Sequence, residues 1–336
     1  MTADPLLDRC RALVAEIGLP DAAELRDATP LTGGVASDIA LVDLGARRIC
    51  VKFALGKLKV AEDWRAPVHR NRAEYAWLEF ARSVAPRNAP ELYGRSETLN
   101  GFAMEHVSGE DVYLWKSALL DEAPDRGEVE AVGQALGRLH AASTRPGFDR
   151  SPFGNRDDFH ALRLEPYLAF TAGRHPRVAA RLDALVADLY ASETALVHGD
   201  VSPKNILMRD GAPVLLDAEC ATMGDPSFDV AFCLNHLALK SLHLPESRAD
   251  LLRRADAFMR AYLEHVDWEP KATLDARVAA LLPALMLARV DGKSPVEYLD
   301  ERERSRVRAA ALRMIEAPRE TTTRARDDVR AAWEDG

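Results

Sequence analysis

Apolar residues recur at two different periods along this chain. Leu6, Leu7, Leu13, Val14 and Ile17 repeat at helical spacing over residues 5–17, and Gly18 and Pro20 end that run. The stretch ATPLTGGVASDIALVDLGARRICVKFAL, residues 28–55, then carries short apolar runs separated by Gly33-Gly34 and Leu44-Gly45. It predicts three strands, one ending near Thr32, one at 39–43 and one at 48–54, paired as a small antiparallel sheet. Residues 68–84 return to the helical period, and FAMEHV at 102–107 predicts another strand.

After SGED the pattern becomes helical, with helices expected at 127–143, 176–192, 227–243, 247–266, 274–290 and 300–316. Strands are expected there only around residues 196–219. The fold class that follows is α+β, in two lobes. A sheet-bearing lobe takes 1–107, with its connection at about 103–108, and a larger helical lobe takes 108–336. The charged end, TTRARDDVRAAWEDG, is expected to be a solvated helix or a frayed tail.

One polar stretch stands between two apolar runs: HGDVSPKNILM, residues 198–208, followed by PVLLDAE at 213–219. A loop held by buried strands can aim carboxylates into a cleft. Asp200 is placed to accept a proton from a hydroxyl, with His198 and Lys204 beside it in the loop. Asn205 and Asp217 are hard oxygen ligands of the kind Mg2+ prefers, and two of them leave room for water and phosphate oxygens. Lys52, alone between Val51 and Phe53 in an apolar strand, needs a partner or a cleft. Gly33 and Gly34, with Ser37 after them, supply a turn whose N–H groups can approach phosphate oxygens. Each feature alone has a plain alternative, because Asp and Asn cap turns and Gly-Gly makes hairpins.

The spacing Asp, four residues, Asn, then a strand-borne Asp is that of the protein-kinase signature. The stretch resembles the loop of the aminoglycoside phosphotransferase and choline kinase superfamily, small-molecule kinases with a protein-kinase-like fold. The resemblance runs over about 28–300 and is sharpest at 196–230. It implies Asp200 as catalytic base, Asn205 and Asp217 as magnesium ligands, His198 as support, and Glu219 reaching the metal through water. In GDPSFDVAF, 224–232, it implies that Asp229 braces the loop and places Asp225 near the acceptor. Kinase-like folds pair the strand lysine with a helix glutamate, here Glu74, with Glu79 as the alternative. The backbone at Glu105 and Val107 is then expected to meet a purine edge. ATP and Mg2+ are the implied cofactors.

Composition narrows the partners. The chain has 336 residues, 47% hydrophobic and 29% charged, with a net charge of −9. Nucleic acid is excluded as a general partner, since phosphate backbones are held by basic surfaces. That charge suits a cationic or neutral small hydroxyl compound. The four cysteines show no metal-site spacing and are expected to be reduced. The first residues lack a signal peptide's apolar core, and no apolar run is long enough to span a bilayer, so a cytoplasmic protein without membrane contact is expected.

The acceptor itself is the least legible part. The insertion ALGKLKVAEDWRAPVHRNR, 54–72, with Trp64, and ALRLEPYLAF, 161–170, are similar to segments of 5-methylthioribose kinases. The Pro-Lys-Asn after Asp200 departs from those enzymes. In LARVDGKSPVEYLDE, 287–301, Arg289, Asp291 and Lys293 are candidates to reach the acceptor, or else they only end a helix. A nucleotide-binding pseudokinase and a true protein kinase are the rival readings. The first conflicts with the full set of catalytic groups, the second with the short segment after Asp217.

Overall fold

The structure, a computed structural model, describes residues 5–31, 37–56 and 67–334. Strands β1 (Asp27–Leu31), β2 (Ser37–Asp43), β3 (Arg48–Ala54), β4 (Leu92–Ser96) and β5 (Gly101–Glu105) form one antiparallel sheet in the order β1-β2-β3-β5-β4. Register pairs Ile39 with Lys52 and Lys52 with Phe102. Because side chains alternate across a strand, the two faces of this sheet serve two cores. Val51, Phe53, Ala40, Val42 and Ala103 pack with Leu13 and Val14 of helix α1 (Pro5–Glu16). Cys50, Phe102 and Met104 face the other way and join the main core. Lys52 lies on that second face, so the alternation that buries its neighbours also turns its ammonium toward the rest of the protein.

Helix α2 (Arg70–Val84) covers the second face with Glu74, Trp77, Leu78 and Ala81, a stripe spaced by three and four. A three-stranded sheet then joins β6 (Val112–Leu114) to β8 (Ile206–Arg209) and β9 (Ala212–Leu215), and β7 (Ala195–Val197) pairs with β10 (Thr222–Gly224). Helices α3 (Trp115–Leu120), α4 (Glu128–Ser143), α5 (Arg156–Phe159), α6 (Phe170–Arg174), α7 (Ala179–Ala191), α8 (Ser227–His243), α9 (Arg248–Leu263), α10 (Lys271–Asp291), α11 (Glu301–Glu316) and α12 (Thr322–Glu334) complete the larger part. Every residue of α8 from Ser227 to Leu242 is buried, which makes it the central helix.

Strands β4, β6 and β10 lie outside the expected strand regions, and two further elements depart from the pattern-based expectation. Residues His160–Ala169 form a π-helical segment between α5 and α6, with Pro166 inside it. Proline removes an N–H from the ladder, and Arg163 Nη1 donates to the Leu162 carbonyl four residues before it at 2.8 Å; the Pro166 carbonyl itself accepts from Lys293 N–H at 2.9 Å. The charged end is a docked helix rather than a solvated one. Ala325, Val329 and Trp333 are buried on one face of α12, and Trp333 Nε1 donates to Ser241 Oγ at 3.1 Å. Arginines on its other faces gave the segment its polar look. Among the described residues no helix is long and apolar enough to cross a membrane.

Trp333→Ala is expected to destabilise the fold by about 3–5 kcal/mol, as a buried aromatic truncation does. A denaturant midpoint shift in that direction, with an unchanged slope, checks it.

Candidate active site

The turn after β7 is shaped by one backbone constraint. Gly199 has φ +80, and a Cβ there would stand 2.8 Å from Cys220 Cβ, so no other residue fits. Asp229, in the first turn of α8, accepts from the N–H groups of His198 at 2.6 Å and Gly199 at 2.8 Å. His140 Nε2 meets the same carboxylate at 3.2 Å, and Tyr262 Oη meets its other ring nitrogen at 2.9 Å. The loop is thereby anchored to the helical core before Asp200 is reached.

His198 joins this loop to the next strand. Its Nδ1 accepts from Asp200 N–H at 3.1 Å and its Nε2 donates to the Leu216 carbonyl at 3.1 Å, which sets the neutral tautomer. Burial depresses its pKa in the same sense. Trp77 of α2 packs edge-on against the imidazole, with centroids 4.7 Å apart. Asn205 donates Nδ2 to the Asp200 carbonyl at 3.1 Å, and no donor among the described residues meets its Oδ1. Asp217 follows β9 with φ 70, a strained conformation of the kind that clusters at functional sites.

Charge converges on these groups from both parts of the chain. Lys52 Nζ lies 2.7 Å from Glu74 Oε1 and also contacts Asp217 Oδ1. Lys52 and Glu74 are each 2% exposed, whereas Glu79 is at the surface. Burial disfavours the Lys52 ammonium, but Asp217, Glu74 and Glu219 outweigh it and hold its pKa above the ordinary value. Burial likewise opposes ionisation of Asp217, and the Lys52 and Lys204 charges reverse this, keeping the carboxyl below its usual range.

Asp200 is 3% exposed and carries two cations on one oxygen. Arg163 Nη2 donates to Oδ2 at 3.0 Å and Lys204 Nζ lies 3.3 Å from it. Arg163 Nε also donates to the Gly199 carbonyl at 2.6 Å. Burial would raise the Asp200 pKa, and Lys204 followed by Arg163 bring it below the ordinary value. The other oxygen, Oδ1, is buried with no hydrogen-bond partner. A buried carboxylate oxygen left open while its twin is saturated is an acceptor waiting for a donor.

The remaining expected residues divide. Glu219 has one oxygen taken: Arg70, fully buried on α2, donates Nε to its Oε2 at 2.9 Å, and the pair ties α2 to the segment after Asp217. Glu105 N–H donates to the Glu91 carbonyl at 2.7 Å, so its carbonyl is the group left for a base edge; Val107 is buried just beyond β5. Ser37 is buried at the start of β2 opposite Ala54. Asp225 is bound through both oxygens to Arg277, at 2.8 and 3.1 Å. Asp291 pairs with Arg308 and His175, and Lys293 with Glu165. These three residues are held in ion pairs with other side chains of the protein. Arg289 is buried beside Tyr167 and Ser294. Gly33, Gly34 and Trp64 lie outside the described residues.

Arg163 and Arg70 were not among the expected residues. Each left a trace, since Arg163 is the lone cation in the apolar run ALRLEPYLAF and Arg70 lies on the same helical stripe as Glu74.

A sheet lysine paired with a helix glutamate, facing an Asp–Asn loop and a strand-end Asp, defines the class: a kinase-like phosphotransfer scaffold of α+β architecture. Residues 27–265 match the phosphotransferase enzyme family, more than half of the chain, and the chain belongs to that family. It is 25% identical over 227 residues to the methylthioribose kinase of Cronobacter sakazakii, covering 60% of this chain and 56% of that protein. It is 27% identical over 220 residues to stress response kinase A of Salmonella choleraesuis and to the serine/threonine protein kinase RdoA of Salmonella typhimurium, covering 62% of each chain. The match thus spans less than two thirds of each relative's length. Among solved structures, a choline/ethanolamine kinase family protein of Mesorhizobium loti shares the fold with TM-score 0.53 and 19% identity, covering 98% of this chain and 100% of that one. An amicoumacin kinase shares it with TM-score 0.56 and 15% identity, covering 91% and 95%.

With Asp200 as a base, Arg163→Met is expected to lower kcat about tenfold or more and to move the acid limb of the kcat/KM profile to higher pH. The sign follows from the lost cation: the carboxyl then protonates at a higher pH, and the base form disappears earlier as pH falls. Arg163→Lys should restore part of the shift, and an unmoved limb assigns Arg163 to packing alone.

Proposed function

We propose that this protein transfers the γ-phosphoryl group of ATP to a hydroxyl of a small molecule, with Mg2+ required. The observation that carries this reading is the open, buried Asp200 Oδ1, whose twin oxygen is held by Arg163 and Lys204. The oxygen donors suit a magnesium ion: Asn205 Oδ1 and the half-exposed Asp217 carboxylate are hard ligands, and two protein ligands leave positions for phosphate oxygens and water. When bound there, the ion supplies neutralisation of charge on the transferring phosphoryl group.

The chain's own groups divide the remaining work. Asp200 Oδ1 takes the proton of the acceptor hydroxyl as its oxygen bonds to the γ-phosphorus and the bond to the β,γ-bridging oxygen breaks, releasing ADP. Arg163 and Lys204 keep that carboxylate ionised and its Oδ2 occupied, so Oδ1 is the only basic oxygen presented. Lys52, steadied by Glu74, offers its ammonium to phosphate oxygens, and Asp217, with Asn205, would hold the metal ion. The Glu105 carbonyl and Val107 N–H are the pair that reads a purine edge. The amicoumacin kinase of the same fold, held with AMP-PNP and Ca2+, is consistent with this division.

The name of one relative, a serine/threonine protein kinase, favours a peptide acceptor as the second reading. Against it stands the segment after Asp217. It forms β10 by Thr222 and enters α8 at Ser227, and residues 218–232 are buried throughout, leaving no exposed platform for an extended peptide. A peptide and small-molecule panel in one ATP-coupled assay separates the two.

Asp200→Asn is expected to keep Mg–nucleotide affinity while lowering kcat by roughly 10²–10⁴. Turnover at the parent rate would remove the assigned role. Asp217→Ala should instead weaken nucleotide binding only when Mg2+ is present, which calorimetry with and without the ion reads directly.

A further inference from the structure

The acceptor side of the loop holds charge that the mechanism above does not use. On α8, Lys240 and His236 lie one turn apart and are 1% and 5% exposed; Arg289, near the end of α10, is 7% exposed. Among the described residues no carboxylate forms an ion pair with Lys240 or Arg289. Lys240 Nζ lies 4.7 Å from the Tyr298 ring centroid. The Arg289 guanidinium stands 5.6 Å from the Tyr167 centroid, and its Nη1 donates to Tyr167 Oη at 3.3 Å and to the Ser294 carbonyl and hydroxyl. Three polar atoms of this wall are buried with no hydrogen-bond partner: His236 Nε2, Arg289 Nε and Tyr298 Oη.

The magnitudes do not balance within the protein. A cation over an aromatic face gains about 0.5–2 kcal/mol, whereas removing an ion from water costs several kcal/mol. Some half-buried arginines of this chain are neutralised by carboxylates, as Arg277 between Asp225 and Glu269 and Arg308 on Asp291 show, while others such as Arg248 and Arg304 donate to backbone carbonyls. Here the acid acting on Lys240 is Glu297, its side chain 65% exposed and paired with Lys116 at the rim, while Glu303 acts on Tyr298 and is paired with His243. Burial first, then the charge of Lys116, pushes Lys240 down to about 7. Burial, with Arg289 and Lys240 next, keeps His236 well below its ordinary pKa.

The wall is continuous with the catalytic loop. Lys204, 3.3 Å from Asp200, is among the charges that act on His236. Tyr167 lies about one turn after Arg163, which holds Asp200, and its ring is 5.7 Å from Phe232, which packs 5.4 Å from His236.

We infer that this wall binds an anionic group on the acceptor, a carboxylate or phosphate ester carried by the same molecule whose hydroxyl meets Asp200. The inference rests on the phosphotransfer reading and narrows its acceptor class. It also reverses the expectation drawn from the net charge, since the protein is acidic as a whole and basic where the acceptor sits. Arg and Lys charges together with neutral His and Tyr donors suit an oxyanion, which has several lone pairs to fill.

Matched acceptors test it. Turnover with Mg–ATP is measured on D-glycerate and ribose 5-phosphate, on their neutral parents glycerol and ribose, and on choline and kanamycin. One anionic compound should exceed its parent by at least about tenfold in kcat/KM, the equivalent of one charge-assisted hydrogen bond, and the two anions separate carboxylate from phosphate. Lys240→Met, which removes a buried charge and so should fold, and Arg289→Lys should each lower that advantage about tenfold, through KM. Equal or better use of neutral or cationic acceptors overturns the inference and leaves phosphotransfer standing.

If no compound is phosphorylated, the failure belongs to the phosphotransfer reading, and binding decides the wall separately. The two anions are titrated into the Mg–AMP-PNP-saturated protein in buffers of different ionisation enthalpy. The titratable and charged groups facing Lys240 are Lys116 on α3, Arg289 on α10, Glu297 and the Tyr298 phenol in the 292–300 connection, and His236 and the Cys233 thiol on α8 itself. An oxyanion added to this set raises the Lys240 pKa, so binding should take up a proton at about pH 7.5 and tighten as pH falls. Uptake lost in Lys240→Met supports the wall. No binding at millimolar anion, or a Lys240→Met defect in Mg–AMP-PNP affinity instead, overturns it, the second because the cations then serve the triphosphate.

Discussion

The arrangement depends on one buried cation. Lys52 is inaccessible to solvent and is stabilised only because Glu74 and Asp217, from α2 and from the end of β9, reach it from two directions. An ammonium in an apolar strand without those partners would cost several kcal/mol, more than most single contacts return. The sheet, the helix and the loop are therefore coupled: moving any one of them leaves a charge uncompensated. Arg70 on Glu219 and Trp77 on His198 repeat the coupling along α2, one turn at a time.

That coupling explains why the loop can be rigid and still reactive. Asp229 and His198 use backbone N–H groups and a carbonyl to fix the path of residues 198–200, so the side chains are spared for chemistry. On Asp200 the division is carried to single atoms, one oxygen saturated by Arg163 and Lys204 and the other without a partner. The π-helical segment is the element that permits this. Its wider winding, forced by Pro166, sets Arg163 where both the Gly199 carbonyl and Asp200 lie within reach.

Much of this was legible along the chain because it follows local rules. The periods of two and of three to four residues mark the sheet, α2 and the long helices. The polar loop stands out because Asp200, Asn205 and Asp217 interrupt buried runs. What escaped depends on contacts distant in sequence. Nothing local distinguishes Glu219 as the partner of Arg70, 149 residues away, from Glu219 as an open carboxylate. Asp225, Asp291 and Lys293 have the composition of a binding site, yet Arg277, Arg308 and Glu165 take them. Helix α12 misled for the opposite reason, since its arginines hide the stripe of Ala325, Val329 and Trp333.

Net charge is a weak guide to an acceptor, and the reason is physical. A total of −9 describes a field averaged over the whole surface and screened within about 8–10 Å in salt, whereas an acceptor meets only the groups lining its own cavity. Inside, the effective dielectric is low and a few uncompensated groups dominate. Among the described residues no carboxylate forms an ion pair with Lys240 or Arg289, whereas Arg277 and Arg308 each hold one, and under the proposed reading that local contrast bears on the acceptor more directly than the sum of all charges. Buried donors without acceptors are tolerated where a ligand completes them, because a partner that arrives with the substrate relieves a penalty the empty protein carries. The same logic applies to Asp200 Oδ1, a buried acceptor that meets no donor among the described residues. Under the proposed reading, an acceptor that brings a hydroxyl to Asp200 and an oxyanion to Lys240 and Arg289 satisfies both at once.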